Sequence, residues 1–299
     1  MREVTIMLLV TAPTGNVGNE VAKLLVERRP FPFRLAAHTP ERVRKLHGDD
    51  VDIVPFDYKD RSTWGPALEG VDQVFLIFPY PQPIKVHTWM KPFVNELATR
   101  DIKHLVFVDV PGSDHVKIVP HYQVERHIEE VGIPHTFLRC TYFMQNLCRG
   151  ISTHGVDIVE HQELFIPAGD GRMTIIDSRD VAEVVLKIFE DPEPHKNKGY
   201  TLSGPDNLDM HGVAEILSEA LDREIRYTNP SFIKFWWRLM RRGVAMDVIA
   251  FMTIVYTLTQ QGSNAQESAE LERLLGRPAR SMQVFSEQEK WRWETRTWT

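Results

Sequence analysis

The sequence predicts an α/β fold, a doubly wound parallel sheet with a smaller, mostly helical C-terminal region. Two observations predict it. In the first half of the chain, apolar runs of strand length alternate with amphipathic stretches of helical period. A glycine-containing turn directly follows the first apolar run and precedes the first helical stretch. Such alternation implies right-handed crossovers between parallel strands, so that helices cover both faces of one sheet.

The elements can be placed in order along the chain. Residues 4–10 are continuously apolar apart from Thr5, as in a strand that is covered on both faces. Thr39 followed by Pro40 marks a helix start, because a hydroxyl can cap a helix and proline suits its first turn. In the first half we expect further strands at 33–37, 51–55, 73–78, 104–109 and 136–138, and helices at 19–29, 62–68, 85–100 and 121–131. In the second half we expect strands at 173–176, 200–202 and 224–228, and helices at 179–190 and 211–221.

Composition excludes several classes of protein. The chain has 299 residues, of which 42% are hydrophobic and 25% charged, which is typical of a globular protein with a sizeable core. The net charge of −6 is spread along the chain and argues against binding to nucleic acid or to a membrane surface. The longest apolar stretch, residues 244–258, is interrupted by Asp247 and is too short to span a membrane. We therefore expect a cytoplasmic protein, with two reduced cysteines whose spacing matches no metal motif.

The glycine turn, residues 11–18, carries the sharpest motif. Its glycines would let backbone N–H groups approach a pyrophosphate and let the following helix pack closely on the sheet. The first position of the usual Gly-x-x-Gly-x-x-Gly pattern is Ala12, which cannot adopt a positive φ without strain, so we expect a slightly different turn. A plain strand-to-helix turn is the alternative. The motif predicts a Rossmann-type site for a nicotinamide dinucleotide, made by Thr11, Thr14, Gly15, Asn16, Val17 and Gly18.

The alternation of strands and helices is regular in the first half of the chain and less regular in the second, which suggests two parts. We expect residues 1–150 to form the dinucleotide-binding Rossmann domain, with later strands from 173–202 added to its sheet. Ligands of open α/β sheets bind at the carboxyl ends of the strands. Residues 151–299 are therefore expected to form the substrate-binding lid region.

The end of the second strand decides which cofactor is favoured. A carboxylate that binds the ribose of NAD would lie about twenty residues beyond the glycines. His38 and Thr39 stand there instead, and Arg42 follows one turn later, where it could pair with a 2′-phosphate. NADP(H) is therefore favoured over NAD(H), although Glu41 lies beside this position. Asp57, after the third strand, could accept a hydrogen bond from the adenine amino group, or could simply cap a loop.

The motifs together resemble the NmrA-like branch of the atypical short-chain dehydrogenase/reductases, over almost the whole chain. After the glycine turn come GVDQVFLIFP at 70–79, GIPHTFLR at 132–139 and CTYFMQNL at 140–147. GDGRMTIIDSRDVAE at 169–183, YTLSGP at 200–205 and LLGRP at 274–278 follow in the family's order. This branch includes dye reductases, quinone oxidoreductases and a redox-sensing regulator. The resemblance implies a Rossmann fold and binding of NAD(P).

The resemblance also implies roles for single residues. Residues 14–18 would wrap the pyrophosphate, and His38 and Arg42 would face the adenosine ribose or its phosphate. Phe78 and Pro79 would lie along the ribose and nicotinamide, with Tyr142 and Phe143 as the far wall; Tyr80 and Phe143 would contact substrate. The sequence departs from the family pattern at Ala12, at His38, where arginine is common, and at Cys140, where proline is usual.

The resemblance does not supply a strong catalytic acid. Short-chain dehydrogenases use a Tyr-x-x-x-Lys pair, and here the tyrosine position is Lys117. His121, at the family's lysine or histidine position, is the candidate for a polar group beside the nicotinamide, as a ribose ligand or a proton donor. A surface histidine at a helix start is the other interpretation. Tyr122, which forms Tyr-x-x-x-Arg with Arg126, is the alternative catalytic residue, out of register by one position.

An aromatic stretch occupies the position of the family's lid. We expect Trp236, Trp237 and Tyr256 to form a substrate wall, although aromatic residues at helical spacing also make ordinary core. The neighbouring basic cluster of Arg238, Arg241 and Arg242 is interpreted as the solvated face of a helix. At the C-terminus, the tryptophans at positions 291, 293 and 298 have no family counterpart, and a partner or dimer surface is one interpretation of them.

These observations lead to one function and two alternatives. The leading hypothesis is an NADPH-dependent reductase of a hydrophobic, conjugated or aromatic small molecule, such as a quinone or enone, acting by direct hydride transfer. The first alternative is a non-catalytic NAD(P)-binding redox sensor, since the Tyr-Lys pair is missing. The second is a redox-neutral metabolic enzyme on the same fold. We expect neither nucleic acid nor a membrane as partner, and leave a homodimer open.

Overall fold

The computed structural model describes residues 6–79, 82–148 and 154–294. The chain divides into two compact units. The first comprises Met1–Cys140 and Val181–Thr201, and the second comprises Thr141–Asp180 and Leu202–Thr299. Each unit has a hydrophobic core of its own.

Both units contain strands and helices, and those of the first unit alternate as the sequence predicts. The strands are β1 (Leu8–Thr11), β2 (Phe33–Ala37), β3 (Asp52–Pro55), β4 (Gln73–Ile77), β5 (His104–Asp109), β6 (His135–Cys140), β7 (Tyr142–Phe143), β8 (Glu163–Leu164), β9 (Met173–Ile176), β10 (Lys198–Leu202), β11 (Asp206–Leu208) and β12 (Arg226–Tyr227). The helices are α1 (Asn16–Arg28), α2 (Pro40–His47), α3 (Trp64–Ala67), α4 (Pro83–Lys85), α5 (Lys91–Ala98), α6 (Pro120–Glu130), α7 (His154–His161), α8 (Ser178–Glu190), α9 (Met210–Leu221), α10 (Phe232–Arg241), α11 (Met246–Gln260), α12 (Glu270–Leu275) and α13 (Met282–Gln288). A π-helical turn at Val86–Met90 divides the single helix expected at 85–100.

The first unit is built on a seven-stranded sheet in the order β10-β6-β5-β4-β1-β2-β3. Strands β1 to β6 pair in parallel; Leu9, for example, aligns with Arg34 on one side and Val74 on the other. The apolar run of β5 is buried along its whole length, as expected for a strand that is covered on both faces. The predicted fold class, a doubly wound Rossmann sheet, is confirmed.

The topology brings chemically important residues to one edge of this sheet. Strand order reverses between β1 and β4, and in open α/β sheets ligands bind at such a switch point, beyond the carboxyl ends of the strands. Because the strands are parallel, Thr11, Phe78 and Asp109 all lie at that edge, at or just after the ends of β1, β4 and β5.

The second unit contains two small sheets and most of the later helices. Its three-stranded sheet has the order β11-β9-β7, and β8 pairs with β12. The strand expected at 173–176 therefore lies in this smaller sheet, whereas Lys198–Leu202 lies at the edge of the large one. Helices α10 and α11 bury Phe235 and Tyr256 in the core of this unit. No helix in the described ranges has the length and apolarity needed to cross a membrane.

The basic cluster on α10 differs from the solvated face that the sequence suggested. Arg238 and Arg242 both bind the buried carboxylate of Asp157, through nitrogen–oxygen distances of 2.7–3.0 Å. Arg238 also pairs with Glu163 and lies 3.4 Å from the centre of the Phe165 ring. The two arginines neutralise a charge that would otherwise be buried alone. Helical spacing could not reveal this, because the acidic partner is about 80 residues away in sequence.

Candidate cofactor and active site

The glycine turn brings α1 very close to the end of β1. A Cβ added at Gly18 would lie only 2.2 Å from the carbonyl oxygen of Ala12 and 3.2 Å from that of Thr11. A Cβ at Gly15 would lie 3.2 Å from the same Ala12 oxygen, which accepts the Gly15 N–H at 2.9 Å. Glycine at position 18 is therefore a steric requirement of this turn.

The N-terminus of α1 is suited to an anion. Gly15 is the N-cap residue, and within the described chain no side chain caps the helix and its first turn carries no acidic residue. The first N–H groups of a helix have no intrahelical acceptor, and the helix dipole adds partial positive charge at this end. These groups, together with the space that Gly15 and Gly18 leave, fit the pyrophosphate of a dinucleotide.

Ala12 stands in the left-handed region, with φ of 51°. The sequence suggested that alanine would force a different turn. Instead the turn keeps the positive φ that a glycine would adopt easily, and alanine carries the strain, which is roughly 1–2 kcal/mol for a non-glycine residue. The expectation of an altered turn was therefore wrong at this position.

We predict that Ala12→Gly relieves this strain. The substitution should raise the free energy of unfolding by up to about 1 kcal/mol, because the removed strain outweighs the extra freedom of glycine in the unfolded chain. Urea denaturation measures the change. Ala250→Gly, at an exposed position inside α11, is the matched control and should instead cost about 1 kcal/mol. Equal destabilisation by both substitutions would show that Ala12 is not strained.

Two side chains hold the turn in place. The hydroxyl of Thr11 donates to the carbonyl oxygen of Phe75 and accepts the N–H of Ile77, both at 3.0 Å, so that it joins β1 to β4. His47, the last residue of α2, lies 3.3 Å through Nε2 from the carbonyl oxygen of Pro13. Because these bonds occupy the Thr11 hydroxyl, we expect Thr11 to contribute to ligand binding only through its backbone. The sequence pointed to the turn but not to His47, whose contact is tertiary.

The candidate adenosine end is formed by residues that follow β2 and β3. His38 is largely exposed, and its Nε2 lies 3.6 Å from a carboxylate oxygen of Asp57. The other carboxylate oxygen of Asp57 accepts the Lys59 N–H at 2.9 Å, so the residue also caps its own loop. Arg42 is exposed on the first turn of α2, and its guanidinium makes no ion pair within the described ranges. This guanidinium, on the helix that follows His38, is therefore available to a phosphate.

His121 is buried at the candidate nicotinamide end of the site. It is 5% exposed, which removes the surface-histidine interpretation, and its ring packs edge-on against Phe78 at 5.3 Å. Phe107 lies 6.1 Å away on another side. Burial lowers the pKa of His121 to about 4, although the charge of Glu125 works in the opposite direction. The imidazole is therefore neutral at physiological pH, with one N–H to donate and one nitrogen to accept.

Beside His121 lies a buried polar cluster that the sequence did not single out. Arg139 binds Glu125 through two hydrogen bonds, from Nε at 2.8 Å and Nη2 at 2.9 Å, and Ser113 donates to Glu125 at 2.9 Å. Burial opposes ionisation of Glu125, but Arg139 holds the pKa of this carboxyl below its usual value. Asp109, at the end of β5, lies against Glu125 and 3.9 Å from Nδ1 of His121. The sequence signal that could have identified Asp109 is its position at the end of a predicted strand, where ligands of such sheets bind.

The remaining candidates of the first unit differ in their exposure. Pro79 is half-buried after β4, next to Phe78. Tyr122 is half-buried on α6, and the guanidinium of Arg126 lies 5.6 Å from its ring centre. Tyr80 lies outside the described residues.

The aromatic candidates of the second unit form two groups. The Tyr142 hydroxyl lies 3.3 Å from that of Tyr256, which also bonds to the buried His154. Burial raises the pKa of Tyr142 to about 12, so its hydroxyl stays protonated. Phe143 is half-buried. Tyr256 is 2% exposed and packs as core, which leaves Tyr142 and Phe143 as the accessible members of this group.

The paired tryptophans of α10 point in different directions. Trp236 is half-buried and donates through Nε1 to the Thr253 hydroxyl at 2.7 Å, which ties α10 to α11. Trp237 is 58% exposed, with the Arg241 guanidinium 4.6 Å from its ring centre. In the C-terminal segment, Trp291 is exposed and Trp293 is fully buried against Phe285, while Trp298 lies outside the described residues.

Fold and glycine turn together define a Rossmann-type dinucleotide-binding protein. A family model for the NmrA-like family matches residues 5–281. The chain belongs to the NmrA-like family, and it is an oxidoreductase.

Three known proteins give the range of similarity. The chain is 28% identical to an NAD(P)H azoreductase of Xenophilus azovorans over 285 residues, which cover 94% of this chain and 96% of the relative. The NADPH complex of quinone oxidoreductase QOR2 from Escherichia coli has a TM-score of 0.80 at 19% identity, covering 95% of this chain and 100% of that structure. The NADP(H) complex of triphenylmethane reductase from Citrobacter sp. has a TM-score of 0.79 at 19% identity, covering 95% of this chain and 99% of that structure.

Proposed function

We propose that the protein is an NADPH-dependent reductase of a hydrophobic, conjugated or aromatic small molecule, such as a quinone, an enone or an azo compound. The observation that carries this proposal is the turn at Gly15 and Gly18, joined to a helix N-terminus without a side-chain cap, in a chain of the NmrA-like family. The names of similar proteins, which include an azoreductase and a quinone oxidoreductase, support the substrate class.

The residues of the first unit supply what such a reaction needs. A reduced nicotinamide, when bound, supplies a hydride. Residues 14–18 would hold its pyrophosphate, and Phe78 and Pro79 would lie along its ribose and nicotinamide. The buried, neutral His121 would stand beside the ring, where it could donate a hydrogen bond or a proton. The substrate contacts that the sequence predicts in the second unit, Phe143 and Trp236 among them, stay a prediction.

Preference for NADPH should depend on Arg42. An arginine–phosphate contact contributes roughly 1.5–3 kcal/mol, so Arg42→Ala should weaken NADPH binding by about tenfold to a hundredfold. Binding of NADH, which lacks the 2′-phosphate, should change much less. Calorimetric titration of both dinucleotides measures the two affinities.

Arg44→Ala is the matched control for this prediction. Arg44 lies on the same helix, loses the same charge when substituted, and pairs with Glu41 at 3.7 Å. Two residues further along a helix, it faces away from the direction of Arg42. An unchanged NADPH to NADH affinity ratio in Arg42→Ala would contradict the assignment of this pocket. An equal change of the affinity ratio in both variants would mean that the net charge of the protein, and not a contact of Arg42, is responsible.

Turnover tests the reductase itself. We expect the purified protein to oxidise NADPH when menadione, an enone or an azo dye is added, and to be slower with NADH. Tight NADPH binding without turnover of any acceptor would contradict the proposal. That result would instead favour a sensor, for which differential affinity between the reduced and oxidised dinucleotide is sufficient.

A further inference from the structure

The cluster at the end of β5 contains two carboxyl groups so close together that one of them keeps its proton in the resting protein. Asp109 and Glu125 are 2% and 0% exposed and lie against each other. Two buried carboxylates in contact repel strongly, and one of them retains its proton. Which of the two keeps it depends on the surrounding charges and donors.

The donors around the pair distinguish the two groups. Glu125 receives both hydrogen bonds of Arg139 and one from Ser113, and Arg126 lies 3.4 Å from it. Asp109 receives the Val110 N–H on Oδ1, at 2.6 Å, and shares the neighbouring Ser113 hydroxyl with Glu125, while its Oδ2 is buried without a donor among the described residues. The positive charge therefore favours ionised Glu125, and a proton on Asp109 would turn an unsatisfied contact into a hydrogen bond to Glu125.

Burial is the main reason that the pKa of Asp109 lies well above its usual value, and contact with Glu125 raises it further. With Asp109 protonated and His121 neutral, the 3.9 Å approach between them is not an ion pair. The charged and titratable groups around the pair of Asp109 and Glu125 are His121 and Arg126 on α6, and Arg139 and Cys140 on β6.

We propose that Asp109 stores the proton that completes reduction of an uncharged substrate, and delivers it through His121. Asp109 is a positioning residue in this scheme, and His121 is the group that touches substrate. The inference rests on the proposed function. It narrows the natural substrate to an uncharged acceptor that gains negative charge with the hydride, such as a quinone, an enone or an azo compound.

A quinone is one such acceptor. The hydride brings two electrons and converts the quinone into a hydroquinone anion. His121 gives its Nε2 proton to the anionic oxygen and takes the Asp109 proton on Nδ1, which leaves neutral hydroquinone, neutral His121 and ionised Asp109. Arg139 and Arg126 face the two carboxylates in this state, and water returns a proton to Asp109 afterwards. The 3.9 Å gap exceeds a hydrogen bond, so the His121 ring must rotate toward Asp109 during the transfer.

A cationic acceptor provides the internal comparison. A cationic triarylmethyl dye becomes neutral when it accepts a hydride, and needs no proton. Asp109→Asn keeps the shape of the side chain but cannot supply an acidic proton. We expect it to lower kcat for menadione by about a hundredfold, at the lower end of general acid catalysis, and to leave kcat for crystal violet within about twofold. For menadione the rate of the unsubstituted protein should fall at high pH as Asp109 ionises; for crystal violet it should not.

Asp114→Asn is the matched control, since Asp114 is half-exposed beside the same cluster, with Arg139 at 3.8 Å. It should leave both rates unchanged. An equal loss of both activities in Asp109→Asn would mean a structural role and overturn the inference, and so would unchanged menadione reduction. If the unsubstituted protein reduces neither acceptor, the proposed function fails, and the inference with it.

Infrared spectroscopy tests the proton without any turnover. The difference spectrum between the unsubstituted protein and Asp109→Asn at neutral pH should contain the carbonyl stretch of a protonated carboxyl group. The Asp114→Asn difference spectrum should lack this stretch and contain the carboxylate bands of Asp114 instead. A carboxylate signal for Asp109 at neutral pH would overturn the inference even if the protein proves to be an active reductase.

Discussion

Gly18→Ala is expected to weaken dinucleotide binding severely. The added Cβ would lie 2.2 Å from the oxygen and 2.9 Å from the carbonyl carbon of Ala12. Both are backbone atoms, so the turn or the start of α1 must move, and those are the groups proposed to bind the pyrophosphate. NADPH affinity should fall by about a hundredfold or more, equivalent to roughly 2.8 kcal/mol. Overpacking should also cost about 1–3 kcal/mol of stability.

The same substitution at two other glycines provides the comparison for this effect. Gly65→Ala, in α3, meets no atom within 4 Å and should leave both affinity and stability close to their original values. Gly15→Ala should be intermediate, because its Cβ would lie 3.2 Å from the Ala12 oxygen. Calorimetric titration with NADPH and urea denaturation give the two quantities. Normal NADPH affinity in a folded Gly18→Ala protein would show that the dinucleotide does not use this turn.

Arg139→Met is expected to destabilise the first unit by about 3–5 kcal/mol. This is the usual cost of removing one partner of a buried ion pair, because the other charge is then left buried without a partner. Arg139 is 12% exposed at its side chain and makes two hydrogen bonds to the fully buried Glu125. Methionine fills much of the same space but cannot neutralise the carboxylate. Urea denaturation at a series of pH values measures the loss.

The pH dependence of this loss has a definite sign. In the original protein the depressed pKa of Glu125 contributes stability above the ordinary carboxyl pKa, and this contribution disappears as the pH falls through the folded value. Without Arg139, Glu125 should take up a proton, and the variant should lose most stability at neutral and higher pH. Asp50→Asn breaks the exposed pair with Arg29 and should leave the denaturation midpoint unchanged. A pH-independent loss in Arg139→Met would mean that packing, not charge, is responsible.

The sequence predicted the sheet and its turn because both depend on local patterns. Apolar runs of strand length, helical periodicity and the spacing of Gly15 and Gly18 are all readable within short windows. The same windows placed Arg42 at the start of α2 and His121 at the start of α6, because helix starts carry local signals such as Thr39 and Pro40.

The features that the sequence did not predict depend on contacts between distant segments. Asp157 neutralises arginines that are about 80 residues away, and His47 contacts the backbone of the glycine turn. The pairing of Glu125 with Arg139 and Asp109 needs β5, α6 and β6 to be assembled first. The prediction of an altered turn at Ala12 was wrong for another reason. Alanine disfavours a positive φ, but the packing of α1 on β1 imposes one.

Direct transfer of hydride from a bound nicotinamide to a conjugated acceptor is the central claim, and isotope transfer measures it. With NADPH deuterated on the transferring face of C4 and an enone as acceptor, the reduced product should carry one deuterium on the carbon that receives the hydride. Deuterium on the opposite face should remain in the oxidised cofactor. Reduced product without deuterium from either face, or no reduction of any acceptor by protein that binds NADPH tightly, would contradict the claim.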